Sequence, residues 1–410
     1  MRSVEEHQRV VAGMILARPA ITDALQEALG LVLADDVVAR IALPVFDNSA
    51  MDGYAVRAED ASHATPEHPV VLSVVEDIPA GRTDALSLKP VTAHRIMTGA
   101  PVPAGANTIV PVEDTDGGVH TVAIRKTGPS GKHIRRAGED VAPGTTVLRK
   151  GQVVTPAALG LASALGIAEL QVIPRQRVLV ISTGSELVPP GTPLQPGQIY
   201  ESNSIMLAGA VSDAGATVIA VATAEDDVAQ FGSILDQYAS PQGRVDLIIT
   251  SGGVSAGAYE VVKDVFGRDG DQGVEFVKVA MQPGMPQGIG RVAGATIVTL
   301  PGNPVSALVS FEVFIRSPLR KAMGLPDPDR PHRPAVLTEA LTSPRGKRQF
   351  RRAILEAPKD RESQVGRVTG YGPAASHHLR WLATANGLLD IPEDVVEVSA
   401  GTLLQVWDLT

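Results

Sequence analysis

The sequence of 410 residues contains no cysteine, and aromatic residues make up only 3% of it. Without cysteine there can be no disulfide, thiolate zinc site, iron–sulfur cluster or cysteine nucleophile. The nine histidines show no H-x-x-x-H or H-E-x-x-H spacing. We therefore expect no transition metal held by side chains of this chain alone.

Long hydrophobic runs and an excess of positive charge are also missing. No apolar run approaches 18 residues, and residues 1–6 hold no apolar signal segment, so we expect a cytoplasmic protein without membrane partners. The net charge of −9 argues against nucleic acid as a partner, because duplexes attract positive surfaces. Two basic clusters, 132–136 and 345–352, either lie on solvated surface or face a small anionic ligand.

The sequence is rich in turn formers, with 40 glycines and 31 prolines. This composition and length predict several domains built from short elements. Changes in pattern along the chain place four: a discontinuous linker and dimerisation domain of helices and strands (1–40 and 141–176), a β-rich insert (41–140), an α/β domain (177–325) and a small C-terminal β domain (326–410).

Local signals predict several helices outside the α/β region. Residues 3–6 form a capping box that opens one helix, and Thr155-Pro156 is a typical start for another. Thr22 is expected to cap a short helix that ends at Gly30.

Between residues 177 and 325, aliphatic runs alternate with helical patterns. We predict strands at 177–182, 217–222, 245–250, 276–280 and 296–300. The helices are predicted at 204–213, 227–238, 259–266 and 305–316. This alternation is typical of a doubly wound, mostly parallel sheet covered by helices on both faces.

Loops of glycine, hydroxyl, amide and carboxylate residues follow the predicted strands. They are residues 183–186, 225–227, 251–255, 282–284 and 301–304. Because ligands of such sheets bind beyond the carboxyl ends of the strands, we expect one crevice for a phosphate or another oxyanion. Glu186 and Asp226 would repel an anion unless a hard cation such as Mg²⁺ lay between them. The alternative is that these residues are ordinary turns and caps.

Two nucleotide-binding motifs are absent, since the sequence has neither G-x-x-x-x-G-K-[ST] nor a G-x-G-x-x-G following a strand. A P-loop NTPase and an ordinary dinucleotide-binding fold are therefore disfavoured. In the β-rich insert, residues 47–54 are dense in turn and ligand-type residues. Asp52-Gly53 could equally be a hairpin turn.

Six stretches together resemble the molybdopterin molybdenumtransferase family, which includes MoeA and the gephyrin E-domain. They follow the family's order over nearly the whole chain: FDNSAMDGY (46–54), RIMTGA (95–100), IRRAGED (134–140), STGSEL (182–187), SGGVS (251–255) and LPGNPVSA (300–307). Each loop alone is a weak signal, whereas six in order are specific.

The resemblance implies an α/β domain of the molybdopterin-binding type, a C-terminal domain like a β-barrel, and a homodimer of four-domain subunits. The active cleft would form where domains of the two chains meet. The reaction implied is the Mg²⁺-dependent insertion of molybdate into adenylylated molybdopterin, with release of AMP. The adenylyltransferase that supplies the substrate and the molybdoenzymes that receive the product are possible partners.

The resemblance also assigns residues. It implies that Asp52, Thr98, Glu186 and Asp226 are catalytic, and that Asp52, Glu186 and Asp226 hold the metal, with Asp52 coming from the partner chain. Residues implied in substrate binding are Arg135, Asp140, Thr183, Gly184, Ser251, Gly252, Gly253, Ser255, Glu260, Lys278, Pro301, Asn303, Pro304, Arg352 and Ser376. Lys278 and the 345–352 cluster would supply positive charge.

Three positions depart from the family's commoner pattern. Many relatives have lysine where this chain has Gln282 and Met285, and aspartate where it has Glu260. Fewer ammonium groups should weaken attraction for a dianion such as molybdate. Two other functions remain open: a pterin adenylyltransferase or related nucleotide-cleaving enzyme, and a non-catalytic scaffold.

Overall fold

The computed structural model describes residues 1–239, 245–253, 261–267, 273–358 and 365–410. These residues form two compact units. The major unit comprises Met1–Ile21, Gly30–Val32 and Gln171–Thr410, and the minor unit comprises Thr22–Leu29 and Leu33–Leu170. The boundaries of the four domains inferred from the sequence stay a prediction.

The major unit contains a six-stranded sheet. Its strands are β1 (Arg177–Thr183), β2 (Thr217–Ala224), β3 (Leu247–Ser251), β4 (Val274–Lys278), β5 (Pro286–Val292) and β6 (Ala295–Leu300). The order across the sheet is β2-β1-β3-β6-β5-β4. The first four strands are parallel, and β5 is antiparallel to both of its neighbours. The predicted doubly wound, mostly parallel sheet is therefore confirmed.

Alternate residues of the central strands enter two different cores. In β1, Val178 and Val180 pack into one cluster, while Leu179 and Ile181 pack into the other. All four side chains are fully buried. A strand buried on both faces has to be continuously aliphatic, which explains the pattern read in the sequence.

Strand β5 was not predicted, and its presence changes the edge of the sheet. Gly288 and Gly290 interrupt its apolar pattern, and glycine usually argues against a strand. Here a side chain does not fit, because a Cβ atom on Gly288 would lie 2.2 Å from Thr299 Oγ1. The predicted strand at 276–280 is β4, and it pairs with β5 in the antiparallel sense.

Seven α-helices are described in the major unit: Val4–Met14, Asn203–Asp213, Val228–Ala239, Val261–Phe266, Pro304–Ser310, Ser317–Ala322 and Leu379–Ala383. The helix predicted at 305–316 changes at Phe311 into a π-helical segment, Phe311–Arg316. The predicted N-terminal cap is confirmed, since Ser3 Oγ accepts a hydrogen bond of 3.1 Å from the backbone N–H of Glu6.

The C-terminal part of the major unit is a closed β-barrel, as the resemblance implied. Its strands are His332–Leu337, Arg348–Glu356, Gly366–Gly370, Gly387–Ile391 and Leu403–Asp408. Arg348–Glu356 pairs with both Gly366–Gly370 and Gly387–Ile391, which closes the sheet. Short strands of this unit are Leu187–Val188, Ile199–Tyr200, Met281–Gln282, Leu341–Thr342 and Glu397–Val398.

The minor unit is built on a five-stranded sheet. In spatial order its strands are Thr108–Pro111, Gly53–Val56, Thr92–Ile96, Val70–Ile78 and Thr121–Ile124. Shorter strands are Val37–Val38, Asn48–Ser49, Ile134–Arg135 and Thr146–Leu148. Its helices are Pro156–Ala164 and the 3₁₀ turns Ala58–Ala61 and Val112–Asp114. Thr155 caps the α-helix as predicted.

The chain crosses between the units in the short strands Ile21–Ala24, Val32–Leu33 and Glu169–Ile173. The helix predicted from Thr22 to Gly30 is wrong, because this segment begins as a strand. The backbone N–H of Leu25 donates to the carbonyl of Ala168 at 3.1 Å, so long-range pairing overrides the local propensity.

Asp52-Gly53 is not a hairpin turn. Gly53–Val56 pairs with Thr92–Ile96 and Thr108–Pro111, and the preceding strand Asn48–Ser49 pairs with Ile134–Arg135. Across the described part of the chain, none of the helices combines the length and the apolar character needed to cross a membrane.

Candidate active site

Loops that follow β1, β2, β3 and β6 line one cleft of about 620 Å³ in the major unit. The cleft brings together nine predicted site residues: Thr183, Gly184, Glu186, Asp226, Ser251, Gly252, Gly253, Asn303 and Pro304. Pro301 lies behind the lining, where its carbonyl accepts a bond of 3.4 Å from Ser251 Oγ. The four strands β1, β2, β3 and β6 are parallel, so their carboxyl ends lie at one edge.

The glycines allow the loops to lie against one another. Gly252 has φ of +101°, and a Cβ atom there would lie 2.6 Å from Thr183 Oγ1. A Cβ on Gly302 would lie 3.5 Å from the Cα of Gly252. Glycine at position 252 is therefore required both by its backbone conformation and by the close approach of Thr183 Oγ1.

The backbone donors of the cleft differ in availability. The N–H of Gly252 donates to the carbonyl of Leu300 at 3.1 Å, so it does not face a ligand. The N–H groups of Gly302 and Asn303 have no backbone acceptor among the described residues. Asn303 occupies the N-cap position of the helix Pro304–Ser310 and makes no side-chain capping bond, and N–H groups at such a start suit an anion.

Two exposed carboxylates line the same cleft. Asp226 accepts hydrogen bonds from the N–H and the hydroxyl of Ser185, both at 3.3 Å. Within the described residues, no hydrogen bond or ion pair holds the carboxylate of Glu186. Both groups therefore keep oxygen atoms free to accept a ligand or a cation.

Some cleft residues were not predicted. The cleft is also lined by Glu201, Asn203, Tyr200 and His377. The signal available for the first two was the polar run 201–204, which overlaps the first turn of the helix Asn203–Asp213 and by itself indicates only a helix start. No signal marked His377, because it comes from the barrel part of the unit.

Ser376 and Arg352 support the cleft from the barrel side. Ser376 Oγ accepts a bond of 3.0 Å from Asn303 Nδ2, and its carbonyl accepts from the N–H of Val305. The buried guanidinium of Arg352 donates to the carbonyls of Pro373, Ala375 and His378, and burial lowers its pKa. Arg352 thus holds the loop that carries Ser376, and its role in substrate binding stays a prediction.

Lys278 ends β4, which runs parallel to β6 because both are antiparallel to β5. It therefore lies at the same edge of the sheet as the cleft, roughly 10 Å from β6. It is exposed and does not line the cleft. Ser255 and Glu260 lie outside the described residues.

In the minor unit, the structure pairs Asp52 with Thr98. The backbone N–H and the hydroxyl of Thr98 both donate to Asp52 Oδ1 at 2.6 Å. These bonds hold the pKa of the exposed Asp52 carboxyl below its usual value. Two backbone bonds join the loops that carry Asp52, Thr98 and His133. The N–H of Gly99 donates to the Ser49 carbonyl, and the N–H of Ala50 donates to the His133 carbonyl.

Arg135 and Asp140 lie close to this loop cluster along the chain. Arg135 is exposed and pairs in register with Asn48. Asp140 is also exposed, and its N–H donates to the carbonyl of Leu43 at 3.0 Å. The neighbouring Arg136, which was not predicted, pairs with Asp47 at 2.6 Å.

A Mg²⁺ ion would find few protein ligands in the cleft. The described residues contain no cluster of three or more His, Cys, Asp or Glu side chains suited to a metal. Glu186 and Asp226 nevertheless fit Mg²⁺, which often binds through one or two carboxylates together with substrate phosphates and water. Asp52 belongs to the minor unit, and its share in the metal site stays a prediction.

Three family models match the sequence. The one described as "MoeA N-terminal region (domain I and II)" matches residues 2–166, and the one described as "MoeA C-terminal region (domain IV)" matches 334–409. Between them, residues 179–321 match the model described as "Probable molybdopterin binding domain".

Curated relatives match the whole chain. Molybdopterin molybdenumtransferase 2 of Mycobacterium tuberculosis (strain H37Rv) is 77% identical over 414 residues, covering 100% of both chains. Molybdopterin molybdenumtransferase 1 of the same strain is 37% identical over 425 residues, covering 99% of this chain and 98% of that protein. Among solved structures, a molybdopterin biosynthesis moea protein from Pyrococcus horikosii has a TM-score of 0.76 at 28% identity, covering 100% of this chain and 99% of that one.

Proposed function

The chain belongs to the molybdopterin molybdenumtransferase family and acts as an enzyme in molybdenum cofactor biosynthesis, and on this premise we propose its substrates and mechanism. The substrates are adenylylated molybdopterin and molybdate, and Mg²⁺ is required. The products are Mo-molybdopterin, AMP and water. The observation that supports this most is the single cleft in which phosphate-type donors and two free carboxylates lie side by side.

The loop donors bind the phosphates of the substrate. The Ser251 hydroxyl is held inside the protein, where it accepts from Asn203 Nδ2 and donates to the carbonyl of Pro301. The phosphate donors are the N–H groups of Gly302 and Asn303, which lie at the start of the helix Pro304–Ser310, where the helix dipole favours an anion. These groups carry no net charge, so they orient an anion without binding it too strongly to leave.

Glu186 and Asp226 would hold Mg²⁺, and the ion would supply positive charge to the phosphate oxygens of the substrate. Asp226 is oriented by Ser185, whose N–H and hydroxyl both face its Oδ2 atom. Glu186 is free to adjust to the ion because no hydrogen bond to the described residues restrains its carboxylate.

The test is to incubate the purified protein with adenylylated molybdopterin, molybdate and Mg²⁺ and to measure AMP. We expect AMP formation that depends on both molybdate and Mg²⁺. AMP release without molybdate would instead support a nucleotide-cleaving relative, and consumption of ATP would support an adenylyltransferase. A protein that binds other proteins but neither substrate would support a scaffold.

Asp52 provides a second test of the mechanism. Asp52→Asn keeps the shape of the side chain but removes its charge, so we expect unchanged substrate binding and at least a roughly hundredfold loss of AMP release. Binding is measured at equilibrium and release in a single turnover. Asp116→Asn is a matched control, because Asp116 bonds only the turn at Gly118 and Ala123. Full turnover by Asp52→Asn would remove Asp52 from the mechanism.

A homodimer whose active sites are shared between subunits is part of the proposal. Neither Asp52→Asn nor Glu186→Gln alone should turn over. If each site takes Asp52 from one subunit and Glu186 from the other, random exchange of the two variants restores about a quarter of the sites. Recovery of no activity, in a mixture shown to contain mixed dimers, would place both residues in one subunit's site.

A further inference from the structure

The side chain of Asn203 joins two loops of the cleft. Its Nδ2 atom donates to Ser251 Oγ at 2.8 Å and to the carbonyl of Gly302 at 2.6 Å. Ser251 ends β3, and Gly302 follows β6. One amide group at the first residue of the helix Asn203–Asp213 therefore fixes the separation of the two loops.

Two residues earlier, Glu201 joins the end of strand β1 to the same helix. Its carboxylate accepts from Ser182 Oγ at 2.7 Å, from the N–H of Ser204 at 2.7 Å and from the Ser204 hydroxyl at 2.6 Å. The side chain is buried, with 5% of the residue exposed. Among the described residues it has no ion-pair partner, so neutral donors alone satisfy it.

We propose that Glu201 and Asn203 are positioning residues for the reaction. They hold the end of β1 and the loops that carry Ser251 and Gly302 at the spacing in which the N–H groups of Gly302 and Asn303 face the ligand. The identity of that ligand rests on the proposed function, whereas the loop spacing is a property of the free protein. We refer to residues 201–204 as the loop clamp.

The hydrogen bonds argue for positioning rather than for direct contact with the substrate. Both hydrogens of the Asn203 amide are used within the protein, and its Oδ1 atom is buried. The loop of Gly252 also has little freedom to shift, because the N–H of Gly252 donates to the carbonyl of Leu300 at 3.1 Å. A shift of the order of 1 Å at such a site costs about a hundredfold in rate.

The first test compares two substitutions of Glu201. In Glu201→Gln, the amide oxygen still accepts two bonds, and the amide nitrogen can donate to the Ser204 hydroxyl once that hydroxyl rotates. We therefore expect nearly normal KM in Glu201→Gln and a KM at least about tenfold higher in Glu201→Ala. If Glu201→Gln loses as much activity as Glu201→Ala, the charge is what matters and positioning is wrong.

The second test measures amide hydrogen exchange in ligand-free Asn203→Ala. We expect exchange about tenfold faster or more in residues 247–253 and 296–303, with the helix after Asn203 unchanged. The same variant should raise KM for adenylylated molybdopterin more than it lowers kcat. An increase in KM with unchanged exchange in these loops would show direct contact with the substrate, and an unchanged KM would show no role.

Matched variants keep the result decisive. Asn386 bridges the backbone of Leu355 in the barrel through bonds of 2.9 and 2.7 Å, so Asn386→Ala should lower the melting temperature without changing KM. If Asn203→Ala fails to fold, Ser251→Ala removes one of the two bonds and should show the same exchange pattern to a smaller degree. Because hydrogen exchange needs no substrate, it tests whether the loop clamp positions the loops even if the wild-type protein releases no AMP.

Discussion

In the major unit, the cleft at the edge of the sheet and the barrel strand Arg348–Glu356 differ in charge and in free donors. The strand has three arginines within 348–352, but Arg348 is bound by Asp390 and Glu5, and Arg352 by three carbonyls. The cleft has two carboxylates and N–H groups of Gly302 and Asn303 without a backbone acceptor among the described residues. Availability of donors, more than net charge, distinguishes a region that can take a ligand from one that supports it.

The largest effect that this comparison predicts is a loss of activity when a cleft carboxylate is replaced. Glu186→Gln removes one charge from the metal site, and we expect kcat for AMP release to fall a hundredfold or more, roughly 2.7 kcal/mol. The melting temperature should stay unchanged. Glu225→Gln is the matched control, since Glu225 is exposed at the end of β2 and does not line the cleft. Equal losses in both variants would contradict a metal site at Glu186.

The next largest predicted effect is on stability, and it comes from a buried histidine. Burial, together with Arg2, lowers the pKa of His7 to about 4, whereas the unfolded chain keeps about 6.5. The unfolded state therefore binds the proton first, and stability falls as the pH drops from 6.5 to 4. The loss reaches roughly 3 kcal/mol at pH 4.

His7→Gln removes this titration. Urea unfolding of both proteins between pH 7 and pH 4 measures the difference in slope. If the two proteins lose stability in parallel, His7 is not the group responsible for the loss of stability. Any activity profile below pH 6.5 has to be compared with this stability profile before it is used to describe the cleft.

A substitution of Arg352 tests whether the barrel supports the cleft. Lysine cannot reach the three carbonyls that the planar guanidinium bonds, so Arg352→Lys should lose about 1–3 kcal/mol of unfolding free energy. KM should rise only severalfold, through the loop of Ser376. Arg345→Lys, at an exposed position, should change neither the unfolding free energy nor KM. A large fall in kcat with normal stability would instead place Arg352 in direct contact with substrate.

The smallest predicted effect concerns Gln282. Gln282→Lys restores one of the ammonium groups found in many relatives, and we expect molybdate to bind about threefold to tenfold more tightly. Calorimetric titration with molybdate measures the change. Unchanged affinity would indicate that Gln282 does not lie near the oxyanion.

The parts of the site that follow directly from strand ends could be predicted from the sequence. Glu186, Asp226, Ser251 and Asn303 each lie at or just after the end of a predicted strand, and parallel strands bring their ends together. Strand β5 could not be predicted, because Gly288 is required by packing against Thr299 and Gly290 by packing against Gly273 and Val274, contacts that the local pattern does not show. The helix expected after Thr22 failed for the same kind of reason, since pairing with Ala168 replaces it.

The role of Asn203 was hidden for a different reason. A polar residue at the start of a helix is common, and nothing in the local sequence shows that the amide of Asn203 reaches two separate loops. The loop of His377 was equally hidden, because the barrel residues that enter the cleft are some 75 positions away from Asn303.

The bonds of Ser376 to Asn303 and Val305 have a thermodynamic consequence. They tie the barrel loop to the first turn of the helix at the cleft, so a ligand that fixes this turn also favours the folded barrel. Binding and barrel stability are then linked, and ligand at a hundred times its Kd would add about 2.7 kcal/mol to the unfolding free energy of the barrel. Binding would accordingly weaken in a variant whose barrel is partly unfolded without ligand, and not in one such as Asn386→Ala whose barrel stays folded at the assay temperature.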